Sequence, residues 1–188
     1  MIAKIVIIAV VVLIVIYVIT TANKLVQMKN RVENQKAQVD VQLKRRYDLI
    51  PNLVETAKAY AGFEKSTLEA VTRARTNAME AGNIGEELAA NAELSRALQR
   101  FIVVSESYPE LKANTNFMQL QNELSATEDK IAKARQFYND TVLKYNNAIE
   151  MIPSNLVAGL FGHKKLPFLE AAQNEREAVK ISADQFRM

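Results

Sequence analysis

Fifteen consecutive apolar positions, Ile5 to Ile19, open the chain, and apolar residues then return at helical spacing almost as far as residue 152. From Leu25 onward, Leu25, Val32, Val39, Arg46, Leu53 and Tyr60 recur every seven residues, with Met28, Gln35, Gln42, Leu49 and Thr56 as the companion register. This predicts a first helix that leaves the apolar run without a break. A second helix is predicted over residues 64–80, with Leu68, Val71, Arg75 and Met79 on one side. A third is predicted over residues 86–107, with Leu88, Leu94, Leu98, Phe101 and Ile102 inward. The glycines and asparagine of "AGNIG", residues 81–85, make a loop between them, and Pro109 in "SYPELKAN" ends the third. The fourth helix carries Phe117, Leu124, Ile131, Tyr138, Tyr145 and Ile152 in one heptad series, starts near a cap at Asn114 or Thr115, and stops before Pro153. No alternating apolar run with turn chemistry predicts a strand. The expected fold is all-α: an N-terminal transmembrane helix, then an antiparallel up-down bundle of about four helices whose first and fourth members are long.

Between Met1 and Ala22 the only charged side chain is Lys4, whose stem can extend toward lipid headgroups. About twenty helical residues cover a hydrocarbon core roughly 30 Å thick, so residues 1–22 are expected to form a transmembrane anchor. Twelve of the fifteen apolar positions are Ile or Val, poor helix formers in water. In lipid the backbone must satisfy its own hydrogen bonds, which favours helix regardless, and Tyr17 falls near an interface. The rival reading is a cleaved signal peptide with "TTA" ending at Ala22 as a weak cleavage site; the helical pattern that follows without a loop argues for an uncleaved anchor. Lys4 precedes the span, whereas Lys24, Lys29, Arg31 and Lys36 follow it within fifteen residues. That bias predicts a single-pass protein with its bundle in the cytoplasm. The remaining divisions are a bundle over residues 23–152, a membrane-proximal or bundle-capping segment over residues 153–172, and a polar tail over residues 173–188.

Composition narrows the chemistry. The chain has no cysteine and one histidine, His163, so disulfides, thiol nucleophiles, cysteine-based zinc sites and Glu-x-x-His pairs on facing helices are excluded. Its five glycines form no phosphate-binding loop. No catalytic, cofactor-binding or metal-ligating residue is therefore assigned. A net charge of +3 is too small to imply nucleic acid, and the basic triplet Lys44, Arg45, Arg46 lies among Asp40, Asp48 and Glu55, which repel phosphate. Ion pairs to Arg45 or Arg46 are the expected role of Asp48 and Glu55.

Two groups of residues remain as candidates. Arg45, Arg46, Tyr47, Asp48 and Pro51 form the first, a polar layer in an otherwise apolar seam. Pro51 removes one helix hydrogen bond and crowds the carbonyl of Tyr47, at a cost of roughly 3 kcal/mol or a bend. Apolar spacing continues across it, so a kinked helix is expected, with the freed Tyr47 carbonyl met by water or a nearby polar side chain. The second group lies in residues 154–169. If the fourth helix returns antiparallel to the first, this segment reaches the bilayer, and Leu160, Phe161, Lys164, Lys165 and Phe168 have the composition of an interfacial element. Capping the open end of the bundle is the alternative.

The stretch over residues 31–75, containing "RYDLIPNLV", resembles the signature region of the bacterial LemA family. Residues 94–162 resemble it further through "YPELKA" and the "YN" at Tyr145. His163 and the "PFLEAAQ" that follows the lysine pair depart from the pattern. The resemblance implies a membrane-anchored, long antiparallel helical bundle in the bacterial envelope, and carries no activity, cofactor or catalytic residue with it. The functional expectation is a non-enzymatic scaffold or self-assembling interaction module, with the lipid bilayer, copies of itself and an unidentified protein as partners. A protein that binds or shapes the membrane surface through residues 154–169 is the competing expectation.

Overall fold

A computed structural model of the protein describes residues 1–60 and 62–169; the predicted tail over residues 173–188 lies outside them. The described residues are all-helical, in six helices: α1 (Ile2–Lys58), α2 (Lys65–Glu80), α3 (Ile84–Ser105), α4 (Pro109–Lys112), α5 (Thr115–Glu150) and α6 (Ser154–Leu160). They divide into two compact units, one of Met1–Arg46 with Leu124–Phe168, the other of Tyr47–Glu123 with Leu169.

In the first unit α1 and α5 pack antiparallel. Arg46 of α1 meets Glu128 of α5, while Val26 and Lys29 line one cavity together with Tyr145. The expected heptads supply the seam: Leu25, Val32, Val39 and Arg46 are buried from α1, and Leu124, Ile131, Tyr138 and Tyr145 from α5. Each fully buried aliphatic residue contributes roughly 1.5–3 kcal/mol of transfer free energy. Ile152, the last member predicted for the α5 series, is 83% exposed because the helix ends at Glu150, before reaching it.

In the second unit, α2 and α3 form an antiparallel hairpin against the C-terminal part of α1. Tyr47 reaches Asn91 of α3, and Val54 and Lys58 share a groove with Lys65 and Leu68 of α2. Asn83 caps α3 by accepting from the Glu86 amide at 3.0 Å, and the Glu86 carboxylate accepts from the Gly82 amide at 3.0 Å. The turn into α2 places Gly62 at φ +90°, a conformation that side chains with a Cβ rarely adopt. Beyond it Phe63 packs on Phe101 and Tyr108, with ring centroids 5.3 and 5.0 Å apart, and Phe101 packs on Phe117.

Several expectations are corrected. The companion stripe of α1 is Leu43, Ile50 and Ala57, four residues on from the main series rather than three; Gln42, Leu49 and Thr56 are only half-buried. On α2 the buried face is Thr67, Leu68, Val71, Ala74 and Ala78, whereas Met79 is 54% exposed. Pro109 does not simply end a helix. α3 stops at Ser105, and Pro109 starts the one-turn α4 at the position where a missing N–H costs nothing. The start of α5 is as expected, with Asn114 Oδ1 accepting from the Phe117 amide at 3.0 Å.

Candidate functional site

The first candidate group is partnered within the two units separately. Arg46 is 1% exposed, a cation in an apolar seam, and its Nη1 donates to both carboxylate oxygens of Glu128 at 2.9 and 3.2 Å. A buried guanidinium is tolerated only with such compensation. That carboxylate comes from α5, and Glu55 pairs with Lys58 at 2.5 Å. In the second unit α1 continues through Pro51 to Lys58, and the Tyr47 carbonyl, which Pro51 deprives of its amide donor, accepts from Arg75 Nε at 2.8 Å. The Tyr47 hydroxyl donates to Asn91 Oδ1 at 2.9 Å, and Asn91 in turn donates to the Glu87 carbonyl. These contacts tie α1 to α2 and α3 within the second unit. Arg45 and Asp48 are exposed on the same helix. Among the described residues no group of three or more His, Asp or Glu is placed to hold a metal ion.

The second candidate group sits in the first unit, beside the point where α1 leaves its apolar stretch. From Ile2 to Ile16 the large apolar side chains of α1 are all exposed, and this is one helix long and apolar enough to cross a membrane. After α5, the Ser154 hydroxyl lies 2.6 Å from the Ala148 carbonyl and 2.9 Å from that of Met151, satisfying helix-end acceptors as α6 begins. α6 buries Val157 and Ala158 and leaves Leu156 and Leu160 outward, 73% and 76% exposed. It closes in a Schellman motif: the His163 amide donates to the Ala158 carbonyl and the Gly162 amide to that of Gly159, with Gly162 at φ +69°.

From there the chain returns extended along α5, in the opposite direction to the helix. Asn146 clamps it twice, donating to the Leu166 carbonyl and accepting from the Leu166 amide, both at 2.9 Å. The Tyr138 hydroxyl donates to the Pro167 carbonyl at 2.9 Å, and the Tyr145 hydroxyl lies 3.0 Å from His163 Nδ1. Burial pushes the Tyr145 phenol above its ordinary value. Of the five residues singled out here, Leu160, Phe161, Lys164, Lys165 and Phe168 are all exposed, and Lys165 pairs with Glu150 at 2.5 Å. The helix α6 and the clamps from Tyr138, Tyr145 and Asn146 were not foreseen; polar side chains on the buried face of the fourth helix were the available signal.

Between this return and α1 lies a cavity of about 560 Å³. Its α1 wall is the stretch of about two and a half turns from Ala22 to Asn30, and its other wall is Tyr145 with the Phe161–Leu166 stretch. Lys29 and Lys164 are its charged lining residues.

Comparison with known proteins gives a consistent picture. The model of the LemA family matches residues 35–182. A protein named LemA from Metamycoplasma hominis is 26% identical over 164 residues, covering 85% of this chain and 74% of that protein. Magnetosome protein MamQ 2 of Paramagnetospirillum magneticum is 26% identical over 174 residues, covering 79% of this chain and 64% of its own length. Magnetosome protein MamQ of Magnetospirillum gryphiswaldense is 25% identical over 172 residues, with 78% and 63% covered. The aligned part is thus somewhat under two thirds of each of these magnetosome proteins. With the family model covering most of the chain, from the α1 seam through the whole described remainder, the protein belongs to the LemA family.

Proposed function

We propose that this protein is a non-enzymatic, single-pass protein of the bacterial inner membrane, whose bundle stands in the cytoplasm and acts as a self-assembling scaffold. The observation that carries this reading is the continuity of α1. The helix runs from the exposed apolar stretch into the buried seam with no intervening loop, so its Leu25 and Val32 are core residues within a few turns of the anchor. A cleaved leader is a poor fit to that arrangement, because cleavage after Ala22 would cut the helix just ahead of Leu25. The four basic residues that follow the span favour a cytoplasmic bundle. Self-assembly is supported by apolar side chains that the first unit leaves uncovered: Val26 and Val41 on α1, Phe137 and Leu143 on α5. An Ile/Val span can pack against its copies through van der Waals contact in lipid.

Native mass measurement and crosslinking of the full chain in mild detergent test the proposal. Oligomers that persist on dilution are the expected result, and a strictly monomeric protein with no co-purifying partner would overturn it. A second reading, in which residues 154–169 engage the membrane surface, is favoured by one observation. Leu156, Leu160 and Phe161 are exposed in the same unit as the end of the apolar stretch.

A further inference from the structure

The geometry points to the cavity beside Ala22–Asn30 as a binding site for the headgroup of an anionic phospholipid. This inference rests on the reading that α1 crosses the membrane, and adds to it a ligand and a place.

Depth is the first argument. The twenty-one helical residues from Ile2 to Ala22 rise about 31 Å at 1.5 Å each, enough for a hydrocarbon core of roughly 30 Å. The α1 wall of the cavity begins at Ala22 and ends at Asn30, so it occupies the next ~12 Å of rise, the level of the headgroups. Charge is the second. Lys29 and Lys164 line the cavity, and no carboxylate is among its described lining residues. Lys29 lies 3.8 Å from Glu33, with both side chains about half exposed or more, a loose contact that a phosphate can replace. Lys165 is held elsewhere by Glu150, leaving Lys164 as the cation of this return. Asn23 and Asn30 add amide donors, and the Tyr145 hydroxyl engages His163 Nδ1, leaving Nε2 as the ring atom available to a ligand.

Amphipathic surroundings are the third argument, and they separate a lipid from a free anion. Phe161 and Val26 line the same cavity and are 56% and 49% exposed, with Leu160 next in the chain 76% exposed. A cationic, amide-rich pocket with an apolar lip, at the height where acyl chain meets phosphate, matches a glycerophospholipid from phosphate to glycerol backbone. The volume of about 560 Å³ lies within the range of ligand pockets, roughly 300–1,000 Å³.

The test uses the full chain in mild detergent, offered equal amounts of phosphatidylglycerol and phosphatidylcholine with identical acyl chains, with retained lipid read by native mass spectrometry. The expected result is selective retention of phosphatidylglycerol. Lys29→Ala and Lys164→Ala each reduce that selectivity about fivefold, the effect of one basic residue near an anionic surface. The double variant loses the preference, while Lys58→Ala with Lys65→Ala, basic positions of the other unit, leaves it unchanged. Equal retention of the two lipids by the parent protein, or undiminished selectivity in the double variant, overturns the inference. Displacement of phosphatidylglycerol by excess inorganic phosphate overturns the assignment to a lipid. Alkaline extraction of membranes reads the anchor separately: release of the parent chain sinks the spanning reading, whereas its retention together with lost selectivity sinks only the pocket.

Discussion

Arg46 shows how one side chain sets the alignment of two helices. A lysine or arginine at a seam position is normally a liability, and here it is 1% exposed with its Nη1 bonded to Glu128. Glu128→Ala removes a charge-assisted acceptor from a buried cation. The expected loss is about 1.5 kcal/mol, at the low end for such a bond because the Glu128 side chain is 39% exposed. Thermal unfolding followed by circular dichroism measures it, with Glu128→Gln expected to lose less. Tyr145 gives a pH-dependent counterpart. Burial raises its folded-state pKa above the ordinary 10.0, so its contribution is complete below that value. As pH rises further the unfolded chain gives up the phenolic proton first, and stability falls until the folded phenol also ionises. Melting temperatures on the alkaline side of the ordinary tyrosine value should therefore decline more steeply for the parent than for Tyr145→Phe. Equal slopes would show that the buried phenol is not responsible.

At the scale of elements, the long helices were legible and the short ones were not. The heptad series on α1 and α5 is strong because it repeats over many turns, so the buried residues Leu25, Val32, Val39, Phe117, Leu124 and Ile131 could be read directly. The companion stripe was displaced by one residue. Leu43, Ile50 and Ala57 follow the main series by four positions, and both three and four are permitted by 3.6 residues per turn. Ala74 and Ala78 on α2 were missed for a different reason: small residues weigh little in a hydrophobic pattern yet allow close helix approach. α4 and α6, of four and seven residues, are too short to show a period. α6 depends on tertiary closure instead, through Ser154 on the carbonyls of Ala148 and Met151 and the Gly162 turn. The partner of Arg46 lies 82 residues away, and no local pattern encodes that pairing before the antiparallel alignment is known.

At the scale of the whole molecule, the family match begins at residue 35, after the apolar stretch, and the two are joined by the single helix α1. A continuous α1 has a mechanical consequence. Each added residue between Ala22 and Asn23 turns everything downstream by about 100° and lifts it ~1.5 Å, whereas seven added residues restore the azimuth to within about 20° but lift it ~10 Å. Rotation and height can thus be varied almost independently. The chain contains no cysteine, so single cysteines placed on the exposed face of α1 report copy-to-copy orientation by disulfide formation without background. One inserted alanine should abolish crosslinks between matched positions while keeping phosphatidylglycerol nearby. A seven-residue insertion should preserve the crosslinks and raise the cavity above the headgroup layer. Under the proposed self-assembly, α1 is more than a tether: it sets both the bearing and the altitude at which the bundle would meet its neighbours.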